Sequence, residues 1–203
     1  MTTPPPSPDP SRPILRLYPL LAVLCFAGAA LILIAAGLPD RADLNALYSL
    51  PNGKAVAPEV GALAPPLSLM TVDGETVAID KLTDQVVILN YWATWCAPCQ
   101  VEMPALQALA ERYPGVLTVL GINAGEAPDL IRAWRQRFGL TFSLLLDRDG
   151  AAARDYRLRG QPTTIIVAPD GIIHEIIYGP ADINALESAI IGLLPVDDER
   201  QSP

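Results

Sequence analysis

Cysteine and histidine are scarce in this sequence, whose 203 residues include three cysteines and one histidine. Three cysteines cannot build a disulfide framework, because one pair leaves a cysteine over and a chain of this length does not need covalent staples. A structural zinc site usually takes four cysteine or histidine ligands. We therefore predict neither a disulfide scaffold nor a metal site.

Basic residues are also few, since 14 lysines and arginines stand against 22 aspartates and glutamates. The excess acidity lies from residue 59 onward, where nineteen acidic residues face ten basic ones. Nucleic-acid-binding surfaces need clustered positive charge, so we expect no nucleic acid partner. The 51% of hydrophobic residues fits one core-forming domain with appendages.

The first 38 residues divide into two segments of opposite composition. Residues 1–16 are predicted to be disordered, because their first thirteen positions hold six prolines and almost nothing apolar. Residues 17–38 carry no charge over twenty-two positions. At helical rise that length crosses the roughly 30 Å hydrocarbon core of a bilayer, so we predict a single transmembrane helix in contact with membrane lipid. A buried soluble helix or a cleaved signal peptide fits less well, because every face is apolar and the stretch exceeds a signal's apolar region.

The charges beside this predicted helix indicate its orientation. Arg12 and Arg16 precede it and Arg41 follows it, and positive residues favour the cytoplasmic side. We therefore expect a single-pass protein of the cell membrane, with its main domain outside the cytoplasm. Turn-forming residues within 39–58 predict a linker to a domain at 59–195.

Apolar periodicity predicts alternating strands and helices in that domain. The turn Asp73-Gly74 lies between two apolar segments and predicts an N-terminal hairpin. The predicted strands are 67–72, 76–79, 86–92, 116–123, 142–146, 163–168 and 172–178, and the predicted helices are 97–113, 128–138, 151–157 and 183–193. We predict an α/β fold with a mixed central sheet of about five strands, helices on both faces, and a C-terminal tail at 196–203.

Two cysteines, Cys96 and Cys99, lie between the predicted strand 86–92 and the helix that follows it. A helix N terminus stabilises a thiolate, so Cys96 is expected to be the more acidic, attacking thiol. Cys99, one turn further on, would be shielded from solvent and able to attack a mixed disulfide formed on Cys96. A purely structural disulfide is disfavoured, because so short a loop constrains the unfolded chain little.

Four short segments together carry a family resemblance. They are Asn90–Cys99 (Asn-Tyr-Trp-Ala-Thr-Trp-Cys-Ala-Pro-Cys), Glu102 with Pro104, Asn123–Glu126 (Asn-Ala-Gly-Glu) and Gln161–Thr164 (Gln-Pro-Thr-Thr). The pattern resembles the membrane-tethered TlpA/ResA group of thiol-disulfide oxidoreductases, in the thioredoxin superfamily, over roughly residues 61–194. The resemblance implies a thioredoxin-like fold, in agreement with the predicted order of strands and helices.

The resemblance also implies roles for residues outside the cysteine pair. Pro162 would be a cis proline beside the cysteines, and the backbone of Gln161, with Thr163, would bind a substrate segment as an added strand. Glu102 would assist proton transfer at Cys99, since a spacing of three residues places it one helical turn along. A solvated surface glutamate explains the spacing equally well, so both interpretations stay open.

The predicted active site comprises three catalytic and six substrate-binding residues. The catalytic set is Cys96, Cys99 and Glu102, and the substrate-binding set is Trp95, Ala97, Pro98, Gln161, Pro162 and Thr163. No cofactor is expected, because a redox-active disulfide between the two cysteines would carry the electrons. The resemblance implies a reductant of protein disulfides, such as those of apocytochrome c in cytochrome c biogenesis, recharged by a membrane electron donor.

Three other functions would use the same thiols. An oxidase or isomerase would differ in the redox potential of the cysteine pair. A peroxiredoxin would have a threonine three residues before the attacking cysteine, where this chain has Ala93. A copper-binding or copper-delivery module would use the two soft thiolates, although the only imidazole, His174, lies in a different predicted hairpin.

Overall fold

The computed structural model describes residues 54–82 and 84–194. The predicted disordered segment 1–16, the predicted transmembrane helix 17–38, most of the predicted linker and the predicted tail lie outside the described residues. Across residues 54–82 and 84–194, no helix combines the length and the apolar character needed to cross a bilayer.

Seven strands and four helices follow one another along the described chain. They are β1 (Ser68–Met70), β2 (Thr76–Ala78), β3 (Val86–Trp92), α1 (Ala97–Arg112), β4 (Leu117–Asn123), α2 (Pro128–Phe138), β5 (Ser143–Leu146), α3 (Ala151–Asp155), β6 (Thr163–Val167), β7 (Ile173–Tyr178) and α4 (Ile183–Leu193). A single 3₁₀ turn, Ile79–Lys81, connects β2 toward β3.

Five of the strands form one mixed sheet in the order β5-β4-β3-β6-β7. The strands β3, β4 and β5 are parallel, whereas β6 pairs antiparallel with β3 and β7 pairs antiparallel with β6. This arrangement confirms the predicted mixed sheet of five strands and its thioredoxin-like topology.

The central strand β3 is buried along its whole length, because helices and loops cover both faces of the sheet. On one face, Ile88 and Trp92 belong to a core that includes side chains of α1, α2 and α4. On the other face, Leu89 packs in a second core with Tyr156, beside α3, and with side chains of β1 and β2. The helices are therefore divided unequally, three against one.

The strands β1 and β2 form their own two-stranded antiparallel sheet. One isolated bridge, between Thr71 and Leu145, connects this pair to β5. The turn between the two strands is tied to α2 by Asp73, whose carboxylate accepts hydrogen bonds from Arg135 at 2.6 and 3.1 Å. The pair is thus joined to the edge strand β5 by this one backbone bridge and to α2 by side chains, and it does not extend the five-stranded sheet.

The helix α2 begins and ends at the residues that the sequence predicts. Pro128 occupies its first turn, where a missing N–H costs nothing. Gly139 ends it in the left-handed region with a φ of 61°, and its N–H donates to the carbonyls of Arg135 and Gln136. A glycine adopts this conformation without the steric penalty that a Cβ atom would bring.

Candidate active site

The two cysteines of the predicted site form a disulfide at the junction of β3 and α1. Cys96 is the N-cap residue of α1, in an extended conformation, and its sulfur accepts a hydrogen bond from the N–H of Cys99 at 3.3 Å. A sulfur in this position faces the positive end of the helix dipole, which favours a thiolate after reduction. Cys96 keeps 5% of its surface exposed and Cys99 none. Cys96 is therefore the more accessible of the two sulfurs.

An exposed rim surrounds the buried disulfide. Trp95 is 69% exposed, so it is not a core residue. Ala97 and Pro98, in the first turn of α1, are exposed as well. Together the three side chains form an apolar surface at the redox centre, and an unpartnered apolar surface of this kind suits contact with another protein.

The predicted cis proline lies at the same edge of the sheet as the disulfide. The peptide bond between Gln161 and Pro162 is cis, as the resemblance implies. Thr163 pairs with Tyr91 near the carboxyl end of β3, which is the end from which the chain continues to Cys96. The hydroxyl of Thr163 is buried and donates to the carbonyl of Gly160 at 2.8 Å, so this side chain holds the loop internally.

Glu102 is buried in α1, with 4% of its surface exposed. The interpretation as a solvated surface glutamate is therefore wrong. Its carboxylate accepts hydrogen bonds from the amide of Asn90 at 3.4 Å, the hydroxyl of Thr164 at 3.2 Å and the N–H of Ala181 at 3.3 Å. Burial raises the pKa of Glu102, and these three hydrogen bonds oppose the shift without cancelling it.

Comparison with known proteins places these features in a family. A sequence model of the AhpC/TSA family matches residues 60–176. The chain belongs to the AhpC/TSA family of thioredoxin-like proteins. Two relatives are the thioredoxin-like protein YneN of Bacillus subtilis and the thiol-disulfide oxidoreductase ResA of Geobacillus kaustophilus. YneN is 35% identical over 147 residues, which cover 71% of this chain and 86% of YneN. ResA is 32% identical over 138 residues, which cover 67% of this chain and 79% of ResA.

Solved structures agree with this assignment. A Chlorobium tepidum protein assigned as the thiol:disulfide interchange protein DsbE superposes with a TM-score of 0.63 and 27% identity, covering 68% of this chain and 99% of that one. StoA of Bacillus subtilis has the same fold, with 24% identity and a TM-score of 0.55. The superposition covers 62% of this chain and 96% of the StoA chain. The resemblance predicted from the sequence is thus confirmed, and this AhpC/TSA-family protein is a thiol-disulfide oxidoreductase.

Asn90 and Thr164 belong to segments that carry the family resemblance, but their contacts with Glu102 were not evident from the sequence. Asn90 is 1% exposed, and its amide donates to Thr164 at 3.0 Å as well as to Glu102. Its carbonyl oxygen has no hydrogen-bond partner within the described part of the chain. Thr164 follows the cis proline by two residues, so its proximity to α1 depends on the pairing of β3 with β6, which no local pattern encodes.

The structure separates His174 from the cysteines. His174 is exposed near the start of β7. Its neighbour Ile173 pairs with Val167 of β6, and Val167 pairs with Val87 at the amino end of β3. The cysteines follow the carboxyl end of β3. This imidazole therefore cannot complete a ligand set with the two sulfurs, and in residues 54–82 and 84–194 no group of three or more potential metal-binding side chains occurs.

Proposed function

We propose that this oxidoreductase reduces disulfides of other proteins outside the cytoplasm, anchored to the cell membrane by residues 17–38. One observation carries the direction of attack. The sulfur of Cys96 lies at the N terminus of α1 and accepts the N–H of Cys99, whereas Cys99 is fully buried. The thiolate is the nucleophile in disulfide exchange, and the helix terminus supplies it at the more accessible sulfur.

The reaction begins with the reduced pair. The Cys96 thiolate attacks one sulfur of the substrate disulfide, forms a mixed disulfide and releases the second substrate sulfur as a thiolate, which takes up a proton. Cys99 then loses its proton and attacks the sulfur of Cys96. The substrate sulfur that was bonded to Cys96 leaves as a thiolate and is protonated, so two electrons have passed to the substrate and the Cys96–Cys99 disulfide is formed. The cysteines carry the electrons, and the reaction requires no prosthetic group.

Glu102 accepts the proton of Cys99 in this scheme. It lies one turn beyond Cys99 in α1, and its burial raises its pKa. A carboxylate with a raised pKa is a stronger base, better matched to a thiol than a solvated glutamate would be. The neighbouring Asn90 and Thr164 keep it hydrogen-bonded in the interior.

The substrate segment binds across the apolar rim and the cis-proline loop. The half-buried Gln161, which precedes the cis peptide bond to Pro162, offers backbone groups for an added strand. Trp95, Ala97 and Pro98, the exposed residues adjacent to the two cysteines, contact the substrate as well. A protein disulfide such as that of apocytochrome c in cytochrome c maturation fits this scheme, with a membrane electron donor restoring the dithiol.

Trapping tests the proposed function. Cys25, the third cysteine of the sequence, lies within residues 17–38 and is replaced by serine so that it forms no disulfide of its own. In this Cys25→Ser background, Cys99→Ser should accumulate mixed disulfides with extracytoplasmic proteins, because the resolving thiol is gone. Cys96→Ser is the matched control and should trap nothing. Recovery of no mixed disulfide from Cys99→Ser cells would count against the proposal. The equilibrium redox potential of the wild-type pair distinguishes a reductant, with a low value, from an oxidase or isomerase.

A further inference from the structure

The loop that precedes Cys96 is joined to the segment that follows β4. Thr94 lies two residues before Cys96, and Glu126 lies three residues after β4 ends. The N–H of Thr94 donates to Oε2 of Glu126 at 2.7 Å, and the hydroxyl of Thr94 donates to Oε1 of the same carboxylate. Two of the four segments that carry the family resemblance are therefore in direct contact.

The carboxylate of Glu126 is itself held in place. The side-chain amide of Asn123 donates to Oε2 of Glu126 at 2.8 Å, and the carbonyl oxygen of the same side chain accepts the N–H of Glu126 at 2.9 Å. Asn123 is fully buried at the end of β4. Because both ends of its amide group are engaged, it cannot rotate without losing a bond.

Other bonds complete the support of the loop. The carbonyl of Thr94 accepts a hydrogen bond from the side chain of Gln100 at 3.4 Å, and the carbonyl of Trp92 accepts the N–H of Ala124 at 3.0 Å. The donor and acceptor groups of Thr94 are thus bound from two directions. The positions of the next two residues, Trp95 and Cys96, therefore depend on how Thr94 is held.

We infer that Glu126 is a positioning residue for the redox centre. Its carboxylate fixes Thr94, and through Thr94 it sets the sulfur of Cys96 at the N terminus of α1 and the exposed ring of Trp95 beside it. The inference rests on the proposed function, in which Cys96 is the attacking thiol. Glu126 touches neither sulfur in this arrangement, so it acts through the loop.

The hydrogen-bond pattern separates an effect of geometry from an effect of charge. Oε2 faces two donors that cannot reverse, the Thr94 N–H and the Asn123 amide, whereas Oε1 faces a hydroxyl that can rotate and accept. A glutamine at this position therefore keeps all three bonds, with its oxygen toward the fixed donors and its NH₂ toward the hydroxyl. An alanine loses all three. Both substitutions remove the negative charge.

The test compares Glu126→Gln with Glu126→Ala in the full chain carrying Cys25→Ser. The measurement is the pH dependence of iodoacetamide alkylation of reduced Cys96, which gives the pKa of its thiol, together with the rate of reduction of a model protein disulfide. We expect Glu126→Ala to raise the pKa of Cys96 and slow reduction roughly tenfold to a hundredfold, as expected for a misplaced reacting group. Glu126→Gln should stay within about twofold of the parent.

Two further variants keep the test decisive. Gln107→Ala removes two hydrogen bonds between α1 and Thr141 and one within α1 to Glu111. It should leave the pKa of Cys96 unchanged, which separates positioning from general destabilisation. Thr94→Val removes only the hydroxyl contact. It should shift the pKa of Cys96 in the same direction by a smaller amount, and it serves if Glu126→Ala does not fold.

Two outcomes would overturn the inference. One is an equal fall in the pKa of Cys96 in both Glu126 variants, which would assign the effect to charge. The other is a parental pKa and rate in Glu126→Ala. The alkylation measurement needs no protein substrate, so it judges the positioning role even if the parent fails to reduce the model disulfide, a failure that would instead contradict the proposed function.

Discussion

At the scale of single residues, Glu102 is where burial and hydrogen bonding act on a pKa in opposite directions. Burial raises the pKa of its carboxyl group above the usual value of 4.5, and the bonds from Ala181, Thr164 and Asn90 lower it by less. A raised pKa means that the folded protein holds a proton more tightly than the unfolded chain does. The stabilisation by this proton is complete below about pH 4.5 and is lost as the pH rises through the folded-state pKa.

The pH dependence of stability follows from that sign. We expect the oxidised wild-type protein to lose stability between about pH 4.5 and the folded-state pKa of Glu102, and Glu102→Gln to lack that component of the decrease. The glutamine NH₂ can be accommodated because the carbonyl oxygen of Asn90 has no partner in the described residues. Urea unfolding at a series of pH values measures the difference. Parallel stability curves for the two proteins would contradict it.

Glu102→Gln should also separate the two halves of the proposed reaction. Attack by Cys96 should proceed at the wild-type rate, whereas resolution by Cys99 should slow by a factor of about 100, within the usual range for losing a general base. Stopped-flow measurement of the formation and decay of the mixed disulfide distinguishes the steps. Equal slowing of both would show that Glu102 acts on the fold of the site.

At the scale of elements, β4 passes so close to its neighbours that one position excludes a side chain. A Cβ atom added to Gly121 would lie 2.9 Å from a methyl of Leu144 and 3.1 Å from both Phe142 and the indole nitrogen of Trp92. All three neighbours are buried, and close-packed interiors yield little. The absence of a Cβ at Gly121 thus allows the backbone of β4 to pack directly against Trp92, Phe142 and Leu144.

Two glycine substitutions test this packing. Gly121→Ala should destabilise the protein by about 1–3 kcal/mol, the usual cost of overpacking. Gly192→Ala is the matched control, because a Cβ at that position in α4 meets nothing within 4 Å. Alanine there should stabilise by about 0.5–1 kcal/mol through its greater helix propensity. Denaturant midpoints give both values, and equal effects would contradict the packing argument.

The elements also show which parts of the fold a sequence can predict. The strand β3 and the helix α2 have their predicted bounds, because a nearly continuous apolar segment and a Pro-to-Gly span are local signals. The position of β1 and β2 beside β5 and α2 was not predictable, since it depends on contacts of Asp73 and Thr71 with residues more than sixty positions away.

The candidate active site likewise has a part that the sequence predicts and a part that it does not. The cysteine pair is visible in the sequence, and the cis bond at Pro162 follows from the family resemblance. The burial of Glu102 could not be predicted from the sequence. Its spacing along α1 gives the distance from Cys99 but says nothing about Thr164 and Ala181, which are 62 and 79 positions away. The sequence identifies Glu126 only as part of a motif. Its contact with Thr94 depends on the pairing of β3 with β4, which brings the ends of the two strands together.

At the scale of the whole molecule, the redox centre and the point where the described chain begins lie at opposite ends of the sheet. Lys54 forms an ion pair at 3.3 Å with Asp170, in the turn after β6. That turn follows Val167, which pairs with Val87 at the amino end of β3, about 20 Å along the strand from the end that leads to Cys96. A cavity of about 350 Å³, lined in part by Leu82 and Gly171, lies at the same end.

The placement of these features at opposite ends of the sheet has a practical consequence, because the sequence contains only two lysines, Lys54 and Lys81. Lys81 ends the 3₁₀ turn next to Leu82, so both side-chain amines lie away from the disulfide. Coupling to a resin or sensor chip through these two side-chain amines should therefore present the redox centre outward, with thiol-disulfide oxidoreductase activity within about twofold of the unmodified protein. Loss of activity on acylation of the two lysines would contradict this orientation. An oriented film of this kind would expose Trp95 and Cys96 to dissolved partners across the whole coated surface.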